Sequence, residues 1–174
     1  MKAERATMAD VPQMHKIINY FADRGDMLPR TLAELYEGAR DFFVVREQSK
    51  VLGCSALHVN WADLAELRSM AVADNQQRRG IGRILAEACL EDARQLGIRT
   101  VYALTYRPEV FSRFGFQTVD VVTLPRKVWS ECHRCPKFQC CDEIAMVCEV
   151  LPARRSMVAP EEIGLDTIMP LRAI

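Results

Sequence analysis

Glu66-Leu-Arg-Ser-Met-Ala-Val72, followed by Asp74-Asn-Gln-Gln77-Arg78-Arg79-Gly80-Ile81-Gly82-Arg83, reads as a buried strand, a polar turn and a glycine-rich entry into a helix. Such a junction is a cradle for phosphate. Its two glycines let the backbone approach a ligand closely, and the first turn of the helix offers N–H groups and the positive end of its dipole to an anion. Arg78, Arg79 and Arg83 add positive charge beside those amides, which suits a pyrophosphate. A Walker loop is excluded because no Gly-Lys-Ser/Thr follows the first glycine. A dinucleotide fingerprint is excluded because Leu85 stands where its third glycine belongs.

The whole chain sets bounds around this loop. Its 174 residues are 49% hydrophobic and 26% charged, enough for one domain with a single large core. Net charge is zero, so the overall field gives no support to nucleic-acid or anionic-membrane binding, and basic clusters serve local ligands. No apolar run approaches the length of a membrane span, and the start, Met1-Lys-Ala-Glu-Arg5, lacks the apolar stretch of a signal peptide. The expected location is the cytoplasm. In that reducing compartment the seven cysteines point to metal or redox chemistry more than to structural disulfides.

Outward from the loop, residues 80–96 carry Ile81, Ile84, Leu85, Ala88, Cys89 and Leu96 on one helical face, and Gly97 is a natural stop. Upstream, residues 2–7 can pair as a first strand, and Asp10 with Pro12 opens a helix on Val11, Met14, Ile17, Ile18 and Phe21 that Gly25 ends. Thr31 and Glu34 form a capping box for a short helix stopping near Gly38. Residues 42–46 and 51–59, joined by a polar Gln48-Ser-Lys50 turn, read as an antiparallel hairpin, and residues 65–72 as the next strand. Downstream come a parallel-type strand at 100–105, a short helix at 108–114, a strand from Gly115-Phe116 to about Thr123, and a last strand at 144–150. Residues 151–174, with three prolines, read as a peripheral tail.

Gln77-Arg-Arg-Gly-Ile-Gly82 resembles the acetyl-CoA loop of the GNAT N-acetyltransferases, and Phe111-Ser-Arg-Phe-Gly-Phe116 resembles that family's second motif. The element order is similar as well. More narrowly, Met27-Leu-Pro-Arg-Thr-Leu-Ala-Glu-Leu-Tyr36, Gly53-Cys-Ser-Ala-Leu-His58 and Lys127-Val-Trp-Ser-Glu-Cys-His-Arg-Cys-Pro-Lys-Phe138 resemble the short, single-domain bacterial N-acetylglutamate synthases. The resemblance implies an α/β (α+β) fold with a central mixed, mostly antiparallel sheet of about seven strands flanked by about four helices. It assigns residues 1–150 to one acetyltransferase domain with a cysteine-rich insertion at 124–143. It also implies acetyl-CoA as co-substrate, direct transfer to the α-amine of L-glutamate, and a place at the entry of arginine biosynthesis. Longer relatives carry an amino-acid-kinase-like regulatory domain for which 174 residues leave no room, so arginine feedback would have to act within this domain or through a partner. Many members dimerise, which leaves a homodimer open.

Acetyl transfer needs a neutral amine, a fixed thioester and a proton source for the leaving thiolate. By resemblance Glu66 is the candidate base. The same resemblance gives the cofactor Met70, Ala71 and Val72, whose backbone N–H groups meet pantetheine and the thioester carbonyl where the strands splay, and Gln77, Arg78, Arg79, Gly80, Ile81, Gly82 and Arg83. Phe111 and Phe114 complete the set. The family often has a tyrosine where Phe111 stands, so the proton donor is Tyr106 or solvent. Arginine forks recognise the carboxylates of a glutamate acceptor best, and Arg30 and Arg68 are the candidates, with Ser69, Arg107 and Lys127 beside them. His58 reads as a satisfied sheet histidine.

Cys132, Cys135, Cys140 and Cys141, with His133 among them, have enough thiolates for a tetrahedral zinc or an iron–sulfur site; reduced packed thiols or a labile disulfide are the alternatives. Cys54 and Cys89 read as small core residues. Glutamine or another small amine as acceptor stays open. So does a reading from another class, a non-catalytic sensor of acetyl-CoA or an amino acid.

Overall fold

Phe42 to Val45 and Val51 to Leu57 are β-branched, aromatic, small or leucine, and they pack in alternation on both faces of one sheet. The computed structural model describes residues 1–124 and 141–152. In chain order it contains β1 (Ala3–Arg5), α1 (Val11–Ala22), α2 (Leu32–Glu37), β2 (Phe42–Glu47), β3 (Lys50–Trp61), β4 (Leu64–Val72), α3 (Ile81–Gln95), β5 (Thr100–Thr105), α4 (Pro108–Ser112), β6 (Gln117–Thr118) and β7 (Ile144–Glu149). Single 3₁₀ turns lie at Ala39–Asp41, Asp74–Gln76 and Val121–Thr123.

The seven strands form one sheet in the order β1-β2-β3-β4-β5-β7-β6. Every pairing is antiparallel except β4 with β5, which the α3 crossover makes parallel. α3 covers one face, where Ala86, Cys89, Leu90 and Ala93 pack on Leu57, Ala65, Leu67, Val101 and Ala103. α1 and α2 cover the other, where Val11, Met14, Ile18 and Leu35 meet Val44, Cys54, Ala56 and Ala71. The mixed, mostly antiparallel α/β architecture anticipated from the chain is the one observed. Among the described residues no helix is long and apolar enough to cross a membrane.

Cys54 and Cys89 are fully buried, and desolvation pushes both thiols up to about 12, so they stay protonated and act as small apolar residues. Gly53 lies opposite Val72, with Ala71 of β4 and Ile81 of α3 close by. A Cβ there would sit 2.9 Å from the Ala71 carbonyl oxygen and 3.1 Å from Ile81 Cγ2. Gly53→Ala is therefore expected to lower the stability by about 1–3 kcal/mol, read as a lower denaturant midpoint at unchanged slope. A midpoint equal to that of the parent would mean that β4 and α3 can separate freely.

Several ends differ from expectation, two of them for a local polar reason. The first strand stops at Arg5 because the Asp10 carboxylate accepts hydrogen bonds from Thr7 N–H and Oγ1, both at 2.7 Å, and curls the chain. Asp10 stands at the N-cap of α1 but makes no side-chain cap bond there. α1 ends at Ala22, before Gly25. The strand expected to reach about Thr123 is reduced to Gln117–Thr118, since Asp120 accepts from Val122 N–H at 3.1 Å and closes a 3₁₀ turn. Conversely, β3 extends two residues beyond Val59, to Trp61. The capping box of α2 forms as written: Glu34 N–H donates to Thr31 Oγ1 and Thr31 N–H donates to the Glu34 carboxylate. Lys127, His133, Cys132, Cys135 and Cys140 lie outside the described residues, as does nearly all of the tail; Cys141 is exposed.

Candidate active site

β4 and β5 pair only from Leu64 to Glu66 against Thr100 to Tyr102. Beyond that point the two strands separate, and a cleft of about 940 Å³ opens between them. A second irregularity lies on the other edge of β4. The register runs from Cys54↔Ala71 to Ala56↔Arg68, so Ser69 and Met70 together oppose the single Ser55. Ser69 takes the left-handed conformation, φ +51°, in this bulge. A bulge bends its strand and leaves backbone groups outside the ladder, and here it does so along the wall that carries residues 69–72 into the cleft.

The far end of the cleft meets the start of α3. Gly80 is the N-cap at φ +78°, with no side-chain cap, so no capping side chain claims the N–H groups of the first turn. Gly82 faces Met70 Sδ and Phe114 Cζ across a gap that a Cβ would enter at 3.9 and 4.0 Å. Arg78, at φ +62°, and Arg83 line the same end. These features fit an anionic diphosphate at the helix start and an apolar arm along Met70 and Phe114. Phe111 is almost fully buried, with its ring edge-on to Phe114 and Phe116 at centroid distances of 6.2 and 5.4 Å. It fixes Phe114 against the helix start.

At the other end, Glu66 and Arg68 project from β4 on the α1/α2 face, with Arg68 Nη1 3.8 Å from Glu66 Oε2 and each side chain about 15% exposed. Arg30 lines the same space. Its backbone is pinned on both sides. Asn19 of α1 donates to the Arg30 carbonyl at 2.8 Å and accepts from its N–H at 3.2 Å, and the capping box begins at the next residue. The Thr31 backbone N–H holds the Glu34 carboxyl below its ordinary value, and the charges of Arg30 and Arg68 both add to that shift. Tyr106 and Arg107 enter from the end of β5, and Arg107 Nη2 lies 3.5 Å from Asp26 Oδ1 across the mouth.

The cleft thus gathers Glu66, Arg68, Ser69, Met70, Ala71, Val72, Gln77, Arg78, Gly80, Ile81, Gly82, Arg83, Tyr106, Phe111, Phe114, Arg30 and Arg107. Arg79 is the exception: its guanidinium bonds the Gln76 side chain and lies 3.9 Å from Glu47, away from the cleft. Sequence reasoning missed Asn19, Asp26 and Glu143. An amide within a helix is the one signal that could have drawn attention to Asn19.

Comparison with known proteins bears on this arrangement. The model of the acetyltransferase (GNAT) family matches residues 10–116. An uncharacterized N-acetyltransferase of Chlorobaculum tepidum is 37% identical over 142 residues, 82% of this chain and 92% of that protein. An amino-acid acetyltransferase of Mycobacterium tuberculosis is 35% identical over 133 residues, 75% of this chain and 76% of its own. Among solved structures, a Mycobacterium tuberculosis protein in complex with CoA and NLQ superposes with a TM-score of 0.76 at 29% identity, covering 87% of this chain and all of that one.

Proposed function

We propose, for a chain that belongs to the acetyltransferase (GNAT) family and is an acyltransferase using acetyl-CoA, that the acceptor is the α-amine of L-glutamate. The observation that carries the reading is the convergence of Arg30 and Arg68, distant in sequence, beside Glu66 in a cleft whose other end is an uncapped helix start. Two guanidiniums suit an acceptor with two carboxylates. The amino-acid acetyltransferase relative supports the same acceptor class.

In this reading the amides at the start of α3, with Arg78 and Arg83, hold the diphosphate, and Gly82 lets it approach. Backbone N–H groups in the bulged stretch from Met70 to Val72 polarise the thioester carbonyl. Glu66 receives a proton from the acceptor ammonium, and Arg68 and Arg30 orient the acceptor by its carboxylates. Tyr106, at the cleft wall, returns a proton to the departing sulfur. Acetylated glutamate made this way would feed arginine biosynthesis.

Thiol release from acetyl-CoA across a panel of amino acids tests the acceptor. L-Glutamate is expected to give the highest kcat/KM, and an acceptor without the side-chain carboxylate is expected to lose about thirtyfold, the effect of one charge-assisted contact of about 2 kcal/mol. Equal values for glutamate and glutamine would overturn the glutamate assignment and leave the acyltransferase.

A further inference from the structure

We infer that His58, held by Asp41, is the outlet for the proton that Glu66 takes from the acceptor. The inference rests on the acetyl-transfer reading and on Glu66 as its base. The reaction forms one C–N bond and breaks one C–S bond. Of the two protons the acceptor ammonium loses, one ends on the coenzyme sulfur and the other leaves as a free proton, so the base must be discharged in every cycle. Glu66 is poorly placed to do this alone, because its side chain is only 15% exposed and faces the cleft that both substrates fill.

The sheet supplies a way out behind it. His58 on β3 is the direct Cα partner of Glu66, so both side chains stand on the same face with Cβ atoms about 5 Å apart. That gap is within reach of the two side chains or of one bridging water. His58 does not line the cleft and therefore does not meet the acceptor; its side chain is one-third exposed to solvent. Its Nδ1 lies 2.8 Å from Asp41 Oδ2, at the end of the 3₁₀ turn before β2. A carboxylate in that position accepts a hydrogen bond from Nδ1–H and leaves Nε2 as the acceptor, the tautomer a proton carrier needs. The same register row continues on the other side of Glu66 to Tyr102 on β5, which is 1% exposed. The row is closed by core at Tyr102 and open to water at His58 and Asp41, which sets the direction of discharge.

The charged and titratable groups around the pair are Asp41 from the 3₁₀ turn, Arg68 beside Glu66 on β4, Tyr102 from β5, and Glu34 with Arg30 from the start of α2.

The test uses the full chain, dilute buffer and whichever amine the parent enzyme acetylates best. His58→Gln keeps a polar partner for Asp41 but cannot carry a proton. It is expected to lose about tenfold or more in kcat, with both KM values within about twofold. His58→Ala should lose as much, and added imidazole should restore its kcat in proportion to concentration. Asp41→Asn should lose less, in the same direction. A packing role would instead lower the melting temperature, raise the KM values or resist imidazole, and any of these as the whole effect overturns the proposal. So does a His58→Gln variant within about twofold of the parent kcat from about pH 6 to about pH 9. Should His58→Ala not fold, His58→Gln decides. Failure of the glutamate assignment is separate, since it is seen in the parent enzyme's acceptor panel and leaves this test intact on another amine.

Discussion

Gly82→Val is expected to weaken acetyl-CoA binding by about a hundredfold, equivalent to about 2.7 kcal/mol, while the protein stays folded. The second half of that statement comes from the local geometry. A Cβ at Gly82 meets nothing closer than Met70 Sδ at 3.9 Å and Phe114 Cζ at 4.0 Å, which is ordinary contact. The branched side chain would therefore be accommodated in the free enzyme by filling the space that the coenzyme arm needs at the helix start. Gly80→Val is a different experiment. Gly80 has no neighbour within 4 Å of its Cβ position but sits at φ +78°, so substitution there strains the loop backbone itself. Calorimetric titration of acetyl-CoA into both variants, with thermal melts alongside, separates the effects. Full affinity in a folded Gly82→Val protein would remove the diphosphate from the start of α3.

Glu66→Gln and Arg68→Ala are expected to divide turnover from acceptor binding, although their side chains lie 3.8 Å apart. Replacing Glu66 by its neutral isostere removes the proton acceptor and should lower kcat by about a hundredfold, within the usual range for general base catalysis, with little change in the KM for acetyl-CoA. Removing Arg68 should raise the KM for glutamate by about thirtyfold, the effect of a lost charge-assisted contact of about 2 kcal/mol, and leave that for acetyl-CoA near its parent value. Arg68→Lys keeps the charge but not the two-pronged geometry, and should recover only part of the loss. Steady-state kinetics with each substrate varied in turn reads all three. An equal rise in both KM values for Arg68→Ala would mean that the guanidinium supports β4 and does not select the acceptor; an unchanged kcat for Glu66→Gln would move the base elsewhere.

In the proposed reading, the bent segment of β4 is the meeting point of the two substrates. Residues 66 and 68 stand before the bulge, on the side given to the acceptor, whereas 71 and 72 follow it and run toward the helix start. One strand can serve two ligands because the extra residue at Ser69–Met70 resets which way its backbone groups point.

The strand–loop–helix unit from Glu66 to Gln95, the capping box at Thr31, the hairpin of β2 and β3 and the burial of Cys54 and Cys89 were all legible in the chain, because each is governed by neighbours within a few residues. The glycine loop was legible in part for the same reason: Gly80 sits at φ +78°, where local backbone geometry favours glycine. The bulge at Ser69–Met70 was not, since it arises from register against β3 and no local pattern announces it. Nor was the early end of β6, where one bond to Asp120 outweighs the strand preference of Val119, Val121 and Val122. Arg79 stood among charged residues equivalent in sequence, and only the packed loop turned it toward Gln76 and Glu47. Arg30, held by Asn19, shares the cleft with Arg68 only because α1 and α2 lie on the sheet face that carries Glu66. His58 could be read as a sheet histidine, but its partners Asp41 and Glu66 are set by a turn and a strand register remote from it in sequence. The chain alone determined the elements and the chemistry of the loop, through local propensity and spacing. Which side chains face one another across the cleft was decided by strand register and helix docking, long-range contacts that depend on the folded whole.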